Sequence, residues 1–200
     1  MIMPFNTGYY ESEELCEMGF AHVGENVQIA RNCTIVGLAN ITLHDHVRID
    51  AMCSIIATGP TEFGGRNHIG AFCHLVGRGG LYFGKYAGLS QRVSIYTASD
   101  DYGGDCLTNP TVPGRYTRST VAPVRLERHV ILGSGTVVLP GVTIGEGASI
   151  GALSLVSKSL DPWQVYSGVP ARRLKERSRN LLVLEAQLEA EEQSGSPMMA

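Results

Sequence analysis

Nowhere in its 200 residues does the chain hold an apolar run of about 18, the length that a membrane-crossing helix needs. Its first twenty residues, MIMPFNTGYYESEELCEMGF, lack a basic start followed by an apolar block, so no secretory signal is expected. No CxxC occurs, and the cysteines number five, an odd count that fits a reducing cytoplasm better than a disulfide scaffold. Neither sign of charge dominates. Sixteen Lys and Arg against nineteen Asp and Glu give a net charge of −3, without the basic excess of a nucleic-acid binder. What is plentiful is glycine, 24 of 200 where about 7% is usual. The length suits one domain with an appendage.

Rows of twenty explain the glycine. Val23, Leu43, Phe63 and Phe83 fall in one column; Ile29, Ile49, Ile69 and Leu89 in a second; Ile35, Ile55, Leu75 and Ile95 in a third. Each row carries large apolar residues six apart, plus two extra residues at Gly37, Gly59-Pro60 and Gly79-Gly80, where a chain reversal needs permissive dihedrals. After an interruption the beat returns without the insertion, at Leu126, Leu132, Val138, Ile144, Ile150 and Val156. Four residues after each of the first five come Val130, Thr136, Val142, Ala148 and Ser154, small or β-branched. A six-residue step matches neither a helix nor a hairpin meander. It predicts an all-β solenoid of short parallel strands, one large side chain per strand pointing inward.

The expected organisation is a capping segment over 1–20, a solenoid over 21–169 interrupted by an excursion at 99–123, a C-terminal helix over 170–192, and a disordered tail over 193–200. Ser12, Glu13, Glu14 and Leu15, with Met18 and Phe20, read as a short serine-capped helix lying over the open end of the coils. ARRLKERSRNLLVLEAQLEAEEQ reads as a helix with Leu174, Leu181, Leu184 and Leu188 on one face. Cys33, Cys53 and Cys73 share a column and stack in a line, which cannot surround a metal ion; no metal is expected, and Cys106 is the thiol expected at the surface. His22, His44, His46 and His129 fall at corners or outward positions and read as solvated, whereas His68 and His74 point outward just before inward residues.

The motifs IGEGASIGA (144–152) and SGVPARRLKE (167–176) resemble those of the hexapeptide-repeat acyltransferases, and the likeness extends over about residues 20–176. It implies a left-handed parallel β-helix, against the usual right-handed crossover, and a homotrimer with active sites between subunits. It also implies an acyl-CoA co-substrate, such as acetyl-CoA, with no permanently bound cofactor. The stretches YYESEELCEMGF, KYAGLSQRVSIYTASDDYGG and SLDPWQVYSGVPARRLKER are similar to the N-acyltransferases of nucleotide-linked 4-amino-4,6-dideoxysugars, such as those of anthrose biosynthesis. That resemblance implies a nucleotide-sugar substrate in surface polysaccharide synthesis.

Sugar O-acetyltransferases of the wider family place a histidine after the strand that precedes the excursion. Here SIYTASDD stands there, so that histidine is missing at Ser99–Asp101. A hydroxyl acceptor depends on a base, whereas an unprotonated amine is already a nucleophile and its cationic form is attracted to carboxylates. By resemblance Asp100, Asp101 and Ser90 line the sugar site, with His68 as a candidate base and His74 beside it. Tyr96, Tyr102, Asn109 and Arg115, at or in the excursion, are candidates for contact with sugar or nucleotide. Gly133, Ser134, Gly135, Thr136, Gly151, Ala152 and Ser154 are candidates for the pantetheine arm. Pro170, Arg172 and Arg173 match the segment beside the cofactor, where arginine suits phosphate. The alternative, an O-acetyltransferase acting on a sugar hydroxyl, requires an essential base at His68 or His74. A non-catalytic scaffold is opposed by the intact SGVPARR segment.

Overall fold

The computed structural model describes residues 8–194. The chain winds into six coils of three short strands each, stacked by parallel pairing into three faces. Face A carries Gln28–Ala30, Arg48–Ile49, His68–Ile69, Gly88–Leu89, Ile131–Leu132, Ser149–Ile150 and Gln164–Ser167; face B begins at His22–Val23 and face C at Thr34–Val36. Registers between the first four coils step by twenty, Ile49 beside Ile69 and Leu75 beside Ile95, as the columns require. Those columns are the core: Leu43, Phe63, Ile49, Ile69, Leu75 and Ile95 are almost wholly buried, and the rings of Phe63 and Phe83 stack at 4.8 Å. Val130, Thr136, Val142, Ala148 and Ser154 are buried beside them. Each such apolar side chain contributes about 2 kcal/mol of burial.

The three corners differ, and their backbone explains the residues. Between faces B and A the turn puts a residue of every coil in the left-handed region: Asn26, His46, Arg66 (with Gly65 before it), Tyr86, His129 and Gly147. The corner between A and C does the same at Met52, Phe72, Arg92, Gly135 and Leu153. The wider corner between C and B takes the two extra residues and requires glycine. At Gly37 (φ 81°) a Cβ would lie 2.1 Å from the carbonyl oxygen of Ala57. The excursion leaves from this third corner. It is less irregular than its sequence suggests, because Ala98–Asp100 and Ser119–Val121 pair antiparallel into a ribbon.

The thiol column forms as expected: Cys33, Cys53 and Cys73 donate to the carbonyls of Asp50, Gly70 and Ser90 on the following coil, at 3.2–3.3 Å. The Cys33 thiol acts to lower the pKa of Cys53, but the Cys73 thiol and burial push it up to about 12, so it is no nucleophile. Cys106 is half-buried and Cys16 is the exposed thiol, contrary to expectation.

The ends depart further from the sequence reading. Helix α1 (Ser12–Cys16) covers the first coil through Leu15, which is buried, but its cap is Glu11 in a reciprocal pair with Glu14. Ser12 instead ties the helix to the coil, donating to the Gly24 carbonyl and accepting from the Val27 amide. At the other end, Arg172–Glu176 is not helical but an exposed strand antiparallel to Gln164–Ser167, and α2 begins only at Asn180, ending at Gln193. Leu174 therefore lies outside the helix, and Leu184 is exposed rather than packed. The tail expected to be disordered falls, from residue 195, outside the described residues.

No residue of α2 is buried; charge holds it along the corner between faces B and A. Glu185 meets Arg128 at 2.6 Å and His129 at 2.8 Å, Glu189 meets Lys85 at 2.6 Å, and Glu192 meets Arg66. His129 is thus buried under the helix and stacked on Tyr86, not solvated. The chain reaches this corner through Arg177, which donates to the carbonyls of His129 and Gly147.

Candidate active site

A cavity of about 970 Å³ lies between the ribbon and the junction of face C with the third corner. Two structural devices make it. Face C ends in an outward stripe, Val76 and Tyr96, on consecutive coils. The ribbon then folds back over that stripe instead of turning into face B. Its wall is completed by Tyr102, Asn109, Pro110 and Val112 from the ribbon's distal loop and by Leu139 and Pro140 from the next coil.

Asp100 is the one carboxylate lining this cavity. It accepts from the Asn109 amide at 3.1 Å and from the Ser119 hydroxyl at 3.3 Å. Both contacts leave the carboxylate at the surface, with lone pairs to spare. Asp101 has a different job. It accepts from the amides of Gly103 and Cys106, both at 2.8 Å, and these backbone hydrogen bonds hold its pKa below the ordinary carboxylate value. It closes the distal loop and does not line the cavity. Thus the adjacent aspartates diverge: one is offered to a ligand, the other is spent on the turn that carries it.

Of the other residues singled out from sequence, Tyr96, Tyr102 and Asn109 line the cavity. Arg115 does not; its guanidinium lies over Tyr116, 4.6 Å from the ring centroid. His74 packs edge-on against Tyr96 at 5.8 Å, one step behind the wall.

His68 and Ser90 belong to another place. They sit on or just after face A on consecutive coils, beside the corner that carries Gly133, Ser134, Gly135, Thr136, Gly151, Ala152 and Ser154. His68 is exposed, and its Nε2 lies 2.8 Å from Asp50 Oδ2. Asp50 Oδ1 accepts from Arg48 Nε at 2.8 Å and from the Tyr9 hydroxyl at 3.0 Å. Burial raises the Asp50 pKa, but the hydrogen bonds from His68, Arg48 and Tyr9 outweigh it and hold the group below its ordinary value. A carboxylate facing Nε2 holds the imidazole in one orientation.

On the glycine corner, Thr136 and Ser154 are buried and both donate to the Gly151 carbonyl, so their hydroxyls are used within the coil. Gly133 permits coil stacking, since a Cβ there would lie 2.4 Å from the Ala152 amide nitrogen. What this corner leaves for a ligand is its outer surface, with Ser134 bonded to Gln91. Pro170 and Arg172 share a smaller cleft with Lys158, whereas Arg173 turns to Gln164. Two groups escaped the sequence reading. Asp50 stands eighteen residues before His68, just short of a full row, and Arg78 lines the cavity one coil below the ribbon's root.

Comparison with known proteins now fits this geometry. The bacterial transferase hexapeptide family (six repeats) matches residues 123–158. The dTDP-4-amino-4,6-dideoxy-D-glucose acyltransferase of Escherichia coli is 40% identical over 179 residues, covering 89% of this chain and 93% of its own length. The N-acyltransferase AntD of Bacillus cereus, solved with dTDP and 3-hydroxybutyryl-CoA, superposes with a TM-score of 0.90 and 37% identity, covering 94% of this chain and all of its own. A serine variant of AntD, solved with dTDP-4-amino-4,6-dideoxyglucose and coenzyme A, superposes with a TM-score of 0.89 at 36% identity, over 92% of this chain and 99% of that one. The solenoid shares the left-handed β-helix of AntD. On near-full-length identity and matching architecture, this chain belongs to the dTDP-4-amino-4,6-dideoxy-D-glucose acyltransferase family.

Proposed function

We propose that the protein transfers an acyl group, acetyl in the simplest case, from acyl-CoA to the amino group of a dTDP-linked deoxyaminosugar. The observation that carries this reading is the placement of Asp100. It is a surface carboxylate in a cavity whose described lining holds no histidine. It follows Ser90 by ten positions, the spacing between the serine and the aspartate varied in the AntD structures. A carboxylate attracts a cationic amine and orients the neutral one, which needs no strong base to become a nucleophile.

In this reading the acyl-CoA lies along the glycine corner, from Gly133 and Gly151 towards Pro170 and Arg172. The cavity under the ribbon takes the sugar. The two regions are on different corners of one chain, so three copies would join one subunit's corner to a neighbour's ribbon. Proximity in that cleft supplies much of the rate. The amine nitrogen attacks the thioester carbonyl carbon, the C–S bond breaks, and the proton lost from nitrogen ends on the departing thiolate sulfur, giving free coenzyme A thiol. Asp100 accepts a hydrogen bond from the amine, Asp101 fixes the turn beneath it, and His68 relays the proton. The setting is the cytoplasm and the product a precursor of surface polysaccharide.

The test offers the protein a panel of nucleotide aminosugars with acetyl-CoA and follows free thiol. Turnover is expected with amino but not hydroxyl acceptors. Turnover with hydroxyl-only sugars and none with amines would overturn the reading.

A further inference from the structure

Ten of the thirteen arginines are committed, Arg173 to Gln164 among them. Arg31, Arg48, Arg66 and Arg128 pair with carboxylates, Arg177 with carbonyls, and Arg92, Arg115, Arg125 and Arg179 lie over aromatic rings. Of those with no side-chain partner, Arg78 alone lines the cavity under the ribbon. Among the described residues it is the only cation in that lining, as Asp100 is the only carboxylate.

The backbone of Arg78 is held firmly while its side chain is exposed and unclaimed. On either side, the Gly77 amide bonds to Ile56, and the Gly79 amide to the hydroxyl of buried Thr97, which donates in turn to the Val76 carbonyl at 2.7 Å. The register of the preceding strands, Val76 beside Tyr96, places Arg78 on the coil below the point where the chain leaves for the ribbon strand that ends in Asp100. One cavity therefore presents a cation on a held backbone and an anion at the root of the ribbon. A free guanidinium on a rigid corner is suited to a bidentate contact, two N–H groups donating to two phosphate oxygens.

We propose that Arg78 binds the diphosphate of the nucleotide sugar and so sets which end of the acceptor enters first. This rests on the acyl-transfer reading above. The substrate class fits the charge pair: a sugar ring with a diphosphate on one side and an amine on the other would span from Arg78 to Asp100. The phosphates of coenzyme A are the competing anion, but the candidate cofactor residues lie on the glycine corner and in the cleft of Lys158 and Arg172, not in this cavity.

The experiment measures binding of dTDP, thymidine and coenzyme A by calorimetry to the wild-type protein, Arg78→Ala and Arg78→Lys. One lost charge-assisted contact should weaken dTDP about ten- to a hundredfold in Arg78→Ala. Arg78→Lys should recover part of it, while thymidine and coenzyme A bind as before. Melting curves should not move, because the side chain has no partner to lose. A fall in coenzyme A affinity with dTDP unchanged would overturn the proposal by assigning the cavity to the cofactor. So would unchanged binding of every probe, or no dTDP binding by the wild type, which would also sink the acyl-transfer reading. If dTDP weakens as expected but no aminosugar is acylated, Arg78 keeps its role and only the acyl-transfer reading fails.

Discussion

Asp100 and Asp101 are neighbours in sequence with opposite fates, and substitution should separate them. Asp100→Asn removes the charge proposed to meet the amine but can keep an acceptor for the Asn109 amide. It is expected to lower kcat/KM for the aminosugar about ten- to a hundredfold with the KM for acyl-CoA unchanged. Asp101→Asn weakens hydrogen bonds to Gly103 and Cys106, so its effect should appear as faster backbone exchange in the distal loop, with a milder kinetic loss. Steady-state kinetics and hydrogen exchange on the two variants check both. Asp50 supplies a pH prediction. Its folded-state pKa is depressed, so the stability it contributes is present above its ordinary value and lost as pH falls through the folded one. Wild type should therefore exceed Asp50→Asn in stability near neutrality, with the gap closing below about pH 4 in denaturant titrations.

At the scale of elements, α2 is attached without an apolar face. Glu185 is its most enclosed anchor, with 10% of the side chain exposed, between Arg128 and His129. Glu185→Gln should cost about 1–3 kcal/mol of local stability, seen as faster amide exchange across α2 while the coils stay protected. Raising salt to about 1 M, where screening reaches about 3 Å, should loosen the same helix in the wild type, though less at the enclosed Glu185. The helix also shows where sequence reading failed. ARRLKER is composed of good helix formers, yet its strand conformation is set by a partner, Gln164–Ser167, that no local propensity reveals. All five residues of that strand are exposed, so no burial pattern marked it. His129 misled for a related reason: its outward phase in the coil was read correctly, but α2 covers it.

For the whole molecule, the six-residue beat was legible because each strand spends one large side chain on a common axis. Phe63 was placed at that axis from its column, and it is fully buried between its neighbours. Phe63→Ala should cost about 3–5 kcal/mol, measured by chemical denaturation. Because each coil touches only the next, the loss should be felt most by the coils on either side. The site was less legible. The position of Asp100 at the root of the excursion followed from the interrupted beat, but Arg78 carries no mark in a turn between glycines until the ribbon folds over it. Likewise Asp50 acquires meaning only when coil stacking brings it against His68.

The acidic ladder of α2 behaves as a vernier. From Glu185 to Glu192 the helix climbs seven residues, about 10.5 Å, while the basic groups it meets lie two coils apart, about 9.6 Å. The two scales agree to about an ångström over three rungs, and α2 ends at Gln193, one residue past the last match. The solenoid and its strap are thus cut to a common measure. A variant given an extra twenty-residue coil between Arg66 and Lys85 could keep its strap only if the helix gained about one turn between Glu189 and Glu192.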